Sequence, residues 1–437
     1  MNILLLGSGG REHAIAASLV KSPLCDELFV APGNGGTAGI ATNVKLNACD
    51  EAAVLEFVEN HQIGLVVIGP EAPLVAGIAD AVRNKAHVPC FGPGYEGARL
   101  EGSKQFAKQF MDAHGIPTAG WQAFTQSDEA HNYVDQKFNP ACGEGVRVLV
   151  VKADGLAAGK GVIVAQSCEE AHDAVDQCFN GAFGDAGKIV VIEDALTGPE
   201  CSLLAFVDGA TMRPMATAQD HKRALEGDKG LNTGGMGVYS PVPIVTEDEY
   251  AAMLSAMQRA CDGLVQEGIS YKGVLYGGFM LTPEGPKVLE FNARFGDPET
   301  QVILPRLKTD LAEVMLAVAN GRLSEIELEW RDEWAVSVVL ASKGYPQHYD
   351  TGFEITGIEE AQKLPGVVVY HAGTKLDDAQ ILRTAGGRVI NVTALGNTFE
   401  EARERAYAGC DVIQFEGKTL RRDIGERALR GRSAWEA

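Results

Sequence analysis

The residues best placed to do chemistry fall into four groups. In Glu290-Phe291-Asn292 the outer two side chains alternate onto one face of a strand. Two oxygen donors on one face suit Mg2+, which takes hard oxygens together with phosphates. Arg294-Phe295-Gly296-Asp297-Pro298-Glu299 follows at once, and an arginine beside a metal carboxylate can clamp a substrate carboxylate or phosphate. A hairpin end with a surface salt bridge is the plainer alternative. It leaves so many polar groups beside an apolar strand unexplained. The second group is Asp220-His221-Lys222-Arg223 with Asn232-Thr233-Gly234-Gly235-Met236-Gly237. Two adjacent cations and a glycine nest can hold anionic oxygens, although a charge run also suits a solvated face.

The third group is Lys152 and the loop Asp154-Gly155-Leu156-Ala157-Ala158-Gly159-Lys160-Gly161. A Walker A motif needs four residues between its glycines and a hydroxyl after its lysine. Here three residues intervene and Gly161 follows Lys160, so that mechanism fails. The loop reads either as a glycine lid over nucleotide phosphates, with Lys152 reaching them, or as a hairpin turn with two solvated lysines. The fourth group is Gly7-Ser8-Gly9-Gly10-Arg11-Glu12, after a strand. A dinucleotide fingerprint would put glycine where Glu12 stands and an acid after the second strand, which instead runs into Ala31-Pro32-Gly33. Hydride transfer is therefore disfavoured. A phosphate seat at a helix N-terminus and a plain tight turn both fit.

The elements that must hold these groups follow from periodicity. Residues 2–6, 28–31, 65–68 and 88–91 read as strands and 11–21, 50–59 and 74–83 as helices, the alternation of a parallel sheet. Ligands on such sheets bind beyond the carboxyl ends of the strands, where Gly69-Pro70-Glu71-Ala72-Pro73 also lies. A helix over 103–114 follows, then strands over 146–152, 162–165, 189–193 and 202–207. Residues 220–237 read as a long loop, and 274–281 with 288–291 as a hairpin. Strands over 335–341, 367–371 and 388–393 and a helix over 398–410 end the chain. Capping boxes are expected at Ser167/Glu170, Thr246/Glu249 and Thr398/Glu401.

Composition bounds the partners. The 437 residues carry 38 Lys and Arg against 59 Asp and Glu, a net charge of −21, which disfavours nucleic acid and anionic membranes as bulk partners. The nine cysteines include no CxxC, and no Cys/His spacing reads as a zinc site, so reduced thiols in a cytoplasmic protein are expected. No apolar run approaches 18 residues, so no membrane span is expected.

These motifs carry a resemblance. The chain resembles the phosphoribosylamine–glycine ligase family of the ATP-grasp superfamily over essentially its whole length. The matching pieces are Gly9-Gly10-Arg11-Glu12-His13-Ala14, Gly69-Pro70-Glu71-Ala72-Pro73-Leu74, the segment from Lys152 to Gly161, Gln219-Asp220-His221-Lys222-Arg223, Asn232-Thr233-Gly234-Gly235-Met236-Gly237 and Arg294-Phe295-Gly296-Asp297-Pro298-Glu299-Thr300. The resemblance implies an α/β architecture: a Rossmann-like parallel-sheet domain (residues 1–102), a small ATP-grasp lid subdomain (103–192), a large ATP-grasp subdomain with the metal site (193–328), and a small mixed α/β domain (329–437). It implies a monofunctional ligase of purine biosynthesis, monomeric or weakly associated, that joins glycine to 5-phosphoribosylamine at the expense of ATP through a glycyl phosphate.

The resemblance also implies roles. Lys104 and Lys152 would contact ATP phosphates under a lid containing Gly155, Gly159, Lys160 and Gly161. Glu193, Asp194, Ala195 and Leu196 would meet the adenine, Glu200 the ribose, and Arg223 and Asn232 the phosphates. Glu290 and Asn292 would bind Mg2+ or Mn2+. Asp220, Lys222, Gly235 and Arg294 would surround glycine and the reacting centre, with Met236 and Gly237 in the same substrate segment. Gly9, Gly10, Glu12 and Glu71 would face phosphoribosylamine. Many ATP-grasp enzymes carry a further acid on the preceding strand, where this chain has Leu275-Tyr276-Gly277-Gly278-Phe279-Met280. The rival readings are another ATP-grasp ligase, a nicotinamide oxidoreductase and a non-catalytic nucleotide-binding module.

Overall fold

The computed structural model describes residues 1–139, 148–157 and 161–431. Its first sheet is parallel, with strands in the order Thr42–Asn43, Glu27–Pro32, Asn2–Gly7, Ile63–Ile68 and Cys90–Phe91. The apolar runs that predicted these strands are buried on both faces, as crossover helices require. The single helix expected over 74–83 is broken instead into Glu71–Val75, Ile78–Ala81 and a wide turn, Val82–Ala86. Gly77, at φ +78°, makes the break.

Two antiparallel sheets follow. The smaller runs Trp121–Phe124, Val190–Asp194, Leu149–Ala153, Val162–Ala165, backed by helices Ser127–Phe138 and Cys168–Phe179. It has its own apolar core of small and β-branched side chains. The larger runs Thr211–Pro214, Glu200–Asp208, Lys272–Thr282, Gly285–Asn292, the last two forming the expected hairpin. Only the segment between Asp194 and Glu200 joins one sheet directly to the other.

The stretch expected as a loop over 220–237 is partly strand. Arg223–Leu225 pairs with Lys229–Asn232, and Gln219–Asp220 pairs with Gly237–Ser240. Gly237–Ser240 in turn pairs with Trp334–Ser342, which carries Arg388–Gly396 and Lys418–Thr419. The polar, glycine-rich composition hid these short strands, and Gly237–Ser240 also takes a partner about a hundred residues away. As a result the larger sheet and the C-terminal sheet share one apolar core. Of the three capping boxes, only Thr246/Glu249 is reciprocal. Glu170 and Glu401 each reach one residue further back, to the amides of Gln166 and Asn397.

The eight described cysteines are free, and Cys90 and Cys201 are buried. No described helix is long and apolar enough to cross a membrane.

The parallel sheet is locked to the C-terminal sheet by two buried imidazoles. The amide of His371 donates to Nδ1 of His13 at 2.8 Å, and the rings meet edge-on. Burial holds both neutral: His13 falls to about 3, helped by its neighbour His371, and His371 to about 4. The unfolded chain takes up these protons near the ordinary imidazole value of about 6.5. The stabilisation is therefore complete above that pH. It drains away as pH falls, by up to about 1.4 kcal/mol per pH unit for each group. The urea midpoint should fall more steeply between pH 6.5 and pH 5 in the native chain than in His371→Gln. Equal slopes would show that the imidazoles titrate normally.

Candidate functional site

Glu290 lies on the last strand of the larger sheet, where Phe291 turns into the core and Glu290 and Asn292 take the opposite face. Desolvation in the cleft would raise the Glu290 carboxyl. Lys222, Lys152, Lys104 and Arg294 outweigh it and hold the carboxyl below the usual carboxylate range. Yet the carboxylate makes no hydrogen bond or ion pair among the described residues. It is a carboxylate surrounded by cations, with no direct partner among the described residues.

Each cation arrives from a different element and is steadied by other groups. Lys104 opens the helix Lys104–Ala113, capped by Ser103, and donates to the Gly155 carbonyl at 3.1 Å. Desolvation and Lys152 lower it despite Glu290. Lys152, on the smaller sheet, pairs with Glu193 at 2.7 Å, and Lys108 reaches the same carboxylate at 2.8 Å. All three side chains are at most 7% exposed. Lys222 pairs with Asp220 at 3.0 Å and lies 3.7 Å from Glu200. About a third of its side chain meets solvent, but it lies in a narrow cleft. Desolvation there would lower it, and Asp220, Tyr276, Glu200 and Glu299 carry it well above its ordinary value. Arg294 pairs with Glu101 at 2.6 Å and stands 3.6 Å from Glu71, leaving its buried Nε without a hydrogen-bond partner.

Beside this ring lies a cavity of about 260 Å³ lined by Glu200, Asp220, Lys222, Arg223 and Asn232, with Val164 of the smaller sheet on its wall. Arg223 and Asn232 are cross-strand partners, which fixes both at its rim. Ala195 and Leu196 lie in the connection between the two sheets, and among the described residues their backbone amides have no partner. Asp194 instead turns its side chain to Lys137 at 2.5 Å. Glu193 presents backbone to the sheet and carboxylate to its two lysines.

Other expected residues are more enclosed. Glu12 is 2% exposed, with its carboxylate accepting from the Gly9 amide at 2.6 Å and from Arg11 Nε at 2.5 Å. A Cβ on Gly10 would stand 2.4 Å from Asn391 Nδ2, so glycine is needed where the first helix meets the C-terminal sheet. Met236 is buried, and a Cβ on Gly237 would strike Ile424. Gly235, at φ +109°, packs its Cα against Pro298. Gly155 and Gly161 flank the glycine loop, while Gly159 and Lys160 lie outside the described residues.

Comparison with known proteins fits this geometry. Residues 1–101 match the N domain of phosphoribosylglycinamide synthetase, 102–300 its ATP-grasp (A) domain, and 335–427 its C domain. The chain is 48% identical to the phosphoribosylamine–glycine ligase of Rhodopirellula baltica, over 98% of each. The chain belongs to the phosphoribosylglycinamide synthetase family. It is also 51% identical to the trifunctional purine biosynthetic protein adenosine-3 of Gallus gallus, of which it spans only 42%. A crystal structure of phosphoribosylamine–glycine ligase from Thermotoga maritima superposes with a TM-score of 0.83 at 36% identity, covering 97% of this chain and all of that one. The biotin carboxylase domain of the Hydrogenobacter thermophilus 2-oxoglutarate carboxylase, solved with MgADP, shares the fold at TM-score 0.71 and 14% identity, over 95% of this chain and 91% of that one.

Within this family fold, several contributors escaped the sequence reading. Glu101 holds Arg294 and accepts from the Ala293 amide at 2.8 Å. Arg388 pairs with Asp297 at 3.0 Å and donates to the carbonyl of Gly234 at 2.5 Å, bringing the C-terminal sheet to the glycine nest. Lys108 completes the Glu193 cluster. Lys104 and Lys108 share a helix face four residues apart, a signal that was available. The other partners are too distant in sequence to leave one.

Glu193→Leu should expose what its carboxylate holds. It strands two buried ammonium groups and is expected to cost about 3–5 kcal/mol by urea unfolding. A loss below about 1 kcal/mol would mean that the cluster behaves as a solvated pair.

Proposed function

We propose that this chain joins glycine to 5-phosphoribosylamine, consuming ATP and releasing glycinamide ribonucleotide, ADP and phosphate. The observation that carries the reading is Glu290: a carboxylate kept ionised by four cations, without a direct partner, at the meeting of the two ATP-grasp sheets. Such an oxygen, with Asn292 Oδ1 held only by Arg294 Nη2 at 3.4 Å, suits a hard divalent cation. Glu290 and Asn292 would hold Mg2+ or Mn2+, which when bound supplies positive charge at the β- and γ-phosphate oxygens.

The chain's own groups do the rest. Lys104 and Lys152 meet the ATP phosphates, with Arg223 and Asn232 beside them. The unpaired amides at Ala195 and Leu196 read the adenine edge. Glu200 takes the ribose hydroxyls. Lys222 and Arg294 orient the glycine carboxylate for attack on the γ-phosphorus, with Asp220 fixing the Lys222 ammonium and Gly235 leaving room at the centre. Attack of one anion on another is slow in water, and these cations lower its barrier by offsetting the charge that gathers on the phosphoryl oxygens. The product is glycyl phosphate and ADP. The amine of phosphoribosylamine, bound toward Gly9, Gly10, Glu12 and Glu71, then attacks the acyl carbon. It forms the amide C–N bond, expels phosphate and gives up its proton. The loop over residues 154–161 closes over the intermediate and limits hydrolysis.

ADP release should require glycine and phosphoribosylamine together when the latter is generated in situ. Release without glycine would point to another carboxylate substrate. Glu290→Gln should lower turnover by about 100-fold or more with an unchanged circular dichroism spectrum. Near-normal turnover would refute the assigned metal ligand. Proteolysis within residues 154–161 should slow when an ATP analogue and Mg2+ are added, and unchanged cleavage would remove the lid from the mechanism.

A further inference from the structure

On the small sheet's outer side, helices Ser127–Phe138 and Cys168–Phe179 run antiparallel, with an apolar seam below and a polar ladder above. Four-residue steps put His131 and Asp135 on one helix face and Cys168, His172 and Asp176 on the other. The contacts form one line. Asp176 Oδ1 lies 3.1 Å from His131 Nε2, and His131 Nδ1 lies 2.6 Å from His172 Nδ1. His172 Nε2 lies 3.0 Å from Asp135 Oδ1, which is 3.8 Å from Cys168 Sγ.

The proton inventory of this line is unusual. Each carboxylate asks the Nε2 facing it for a proton, and the Nδ1–Nδ1 contact needs one more. Two neutral imidazoles carry only two protons between them. The ladder therefore lacks one positive charge. Cys168 Sγ–H points at the Asp135 carboxylate as well, so the thiol joins the end of the ladder. A metal ion on His172 Nε2 supplies that charge.

We propose that Asp135, Cys168 and His172 form a binding site for a borderline divalent cation of the Zn2+ type, backed by His131 and Asp176. The three ligand atoms lie within 4.8 Å of one another. Tetrahedral coordination brings such atoms to roughly 3.3–3.8 Å, a contraction within side-chain reach. With the ion on His172 Nε2, His172 Nδ1–H donates to His131 Nδ1, and His131 Nε2–H donates to Asp176. Both rings are then neutral and every ring nitrogen is used, the usual arrangement behind a metal-bound histidine. Binding releases the thiol proton to solvent, and water completes the shell on the exposed Asp135 side. Sulfur and nitrogen donors separate this site from the all-oxygen preference of Mg2+. Cys168 and His172 stand four residues apart on one helix, and Asp135 comes from the other, so the sequence shows only part of the ligand set. The bound ion staples the helices that back the small sheet.

The test uses the full chain stripped of metal and titrated with Co2+. One equivalent should produce thiolate-to-Co2+ charge-transfer absorption in the near ultraviolet, and Zn2+ should abolish it. Zn2+ should also raise the thermal midpoint. Cys168→Ser and His172→Ala should lose the band, whereas Cys49→Ser, which removes an exposed thiol, should keep it. Absence of the band in the native chain, or a band of equal strength in Cys168→Ser, would overturn the proposal.

Discussion

The site depends on keeping one carboxylate ionised where desolvation opposes it. Glu290 stays anionic because Lys222, Lys152, Lys104 and Arg294 converge on it from four separate elements. Three of these cations carry acids of their own, while Lys104 leans on the Gly155 carbonyl. Lys152 is balanced by Glu193, Lys222 by Asp220, and Arg294 by Glu101 and Glu71. Each balancing acid in turn needs a rigid seat. Much of the surrounding architecture is the consequence: a helix N-terminus for Lys104, a sheet interior for Lys152 and Glu193, and a strand pair for Asp220.

The same constraint explains why the sheets are connected as they are. The small sheet must bring Lys152 to the cleft while remaining a separate packing unit, and it has its own core. The short connection from Asp194 to Glu200 allows this, and it leaves backbone amides unpaired at Ala195 and Leu196. The large sheet needs no such freedom. It shares its core with the C-terminal sheet, whose Arg388 braces the glycine nest through Gly234 and Asp297.

The readability of the sequence followed the range of the interactions. Apolar alternation disclosed the parallel sheet and the hairpin that carries Glu290, because those signals are local. Clustering around Lys222 was legible because Asp220, Arg223 and Asn232 lie on a compact polar stretch. Strand pairing within residues 219–240 was not, since its strands are short, polar and glycine-rich, and one of them pairs with Trp334–Ser342. Glu101 and Arg388 were missed for the same reason: each meets its partner only through the tertiary fold. Glu12 was legible as an important residue, but not as one whose carboxylate is already taken by Gly9 and Arg11.

The acids of the cleft also show how one small volume can hold several carboxylates. Glu290 is driven below its ordinary range, while desolvation raises Glu200 and Glu299 despite Lys222. Glu299 is reached by Ser202 at 3.3 Å and by the Tyr276 hydroxyl at 3.1 Å, the latter from the strand that lacks an acid of its own. Environment therefore divides chemically similar groups, holding one carboxyl below its ordinary range and two above it. Lys222 links the three, since the same ammonium pulls Glu290, Glu200 and Glu299 downward.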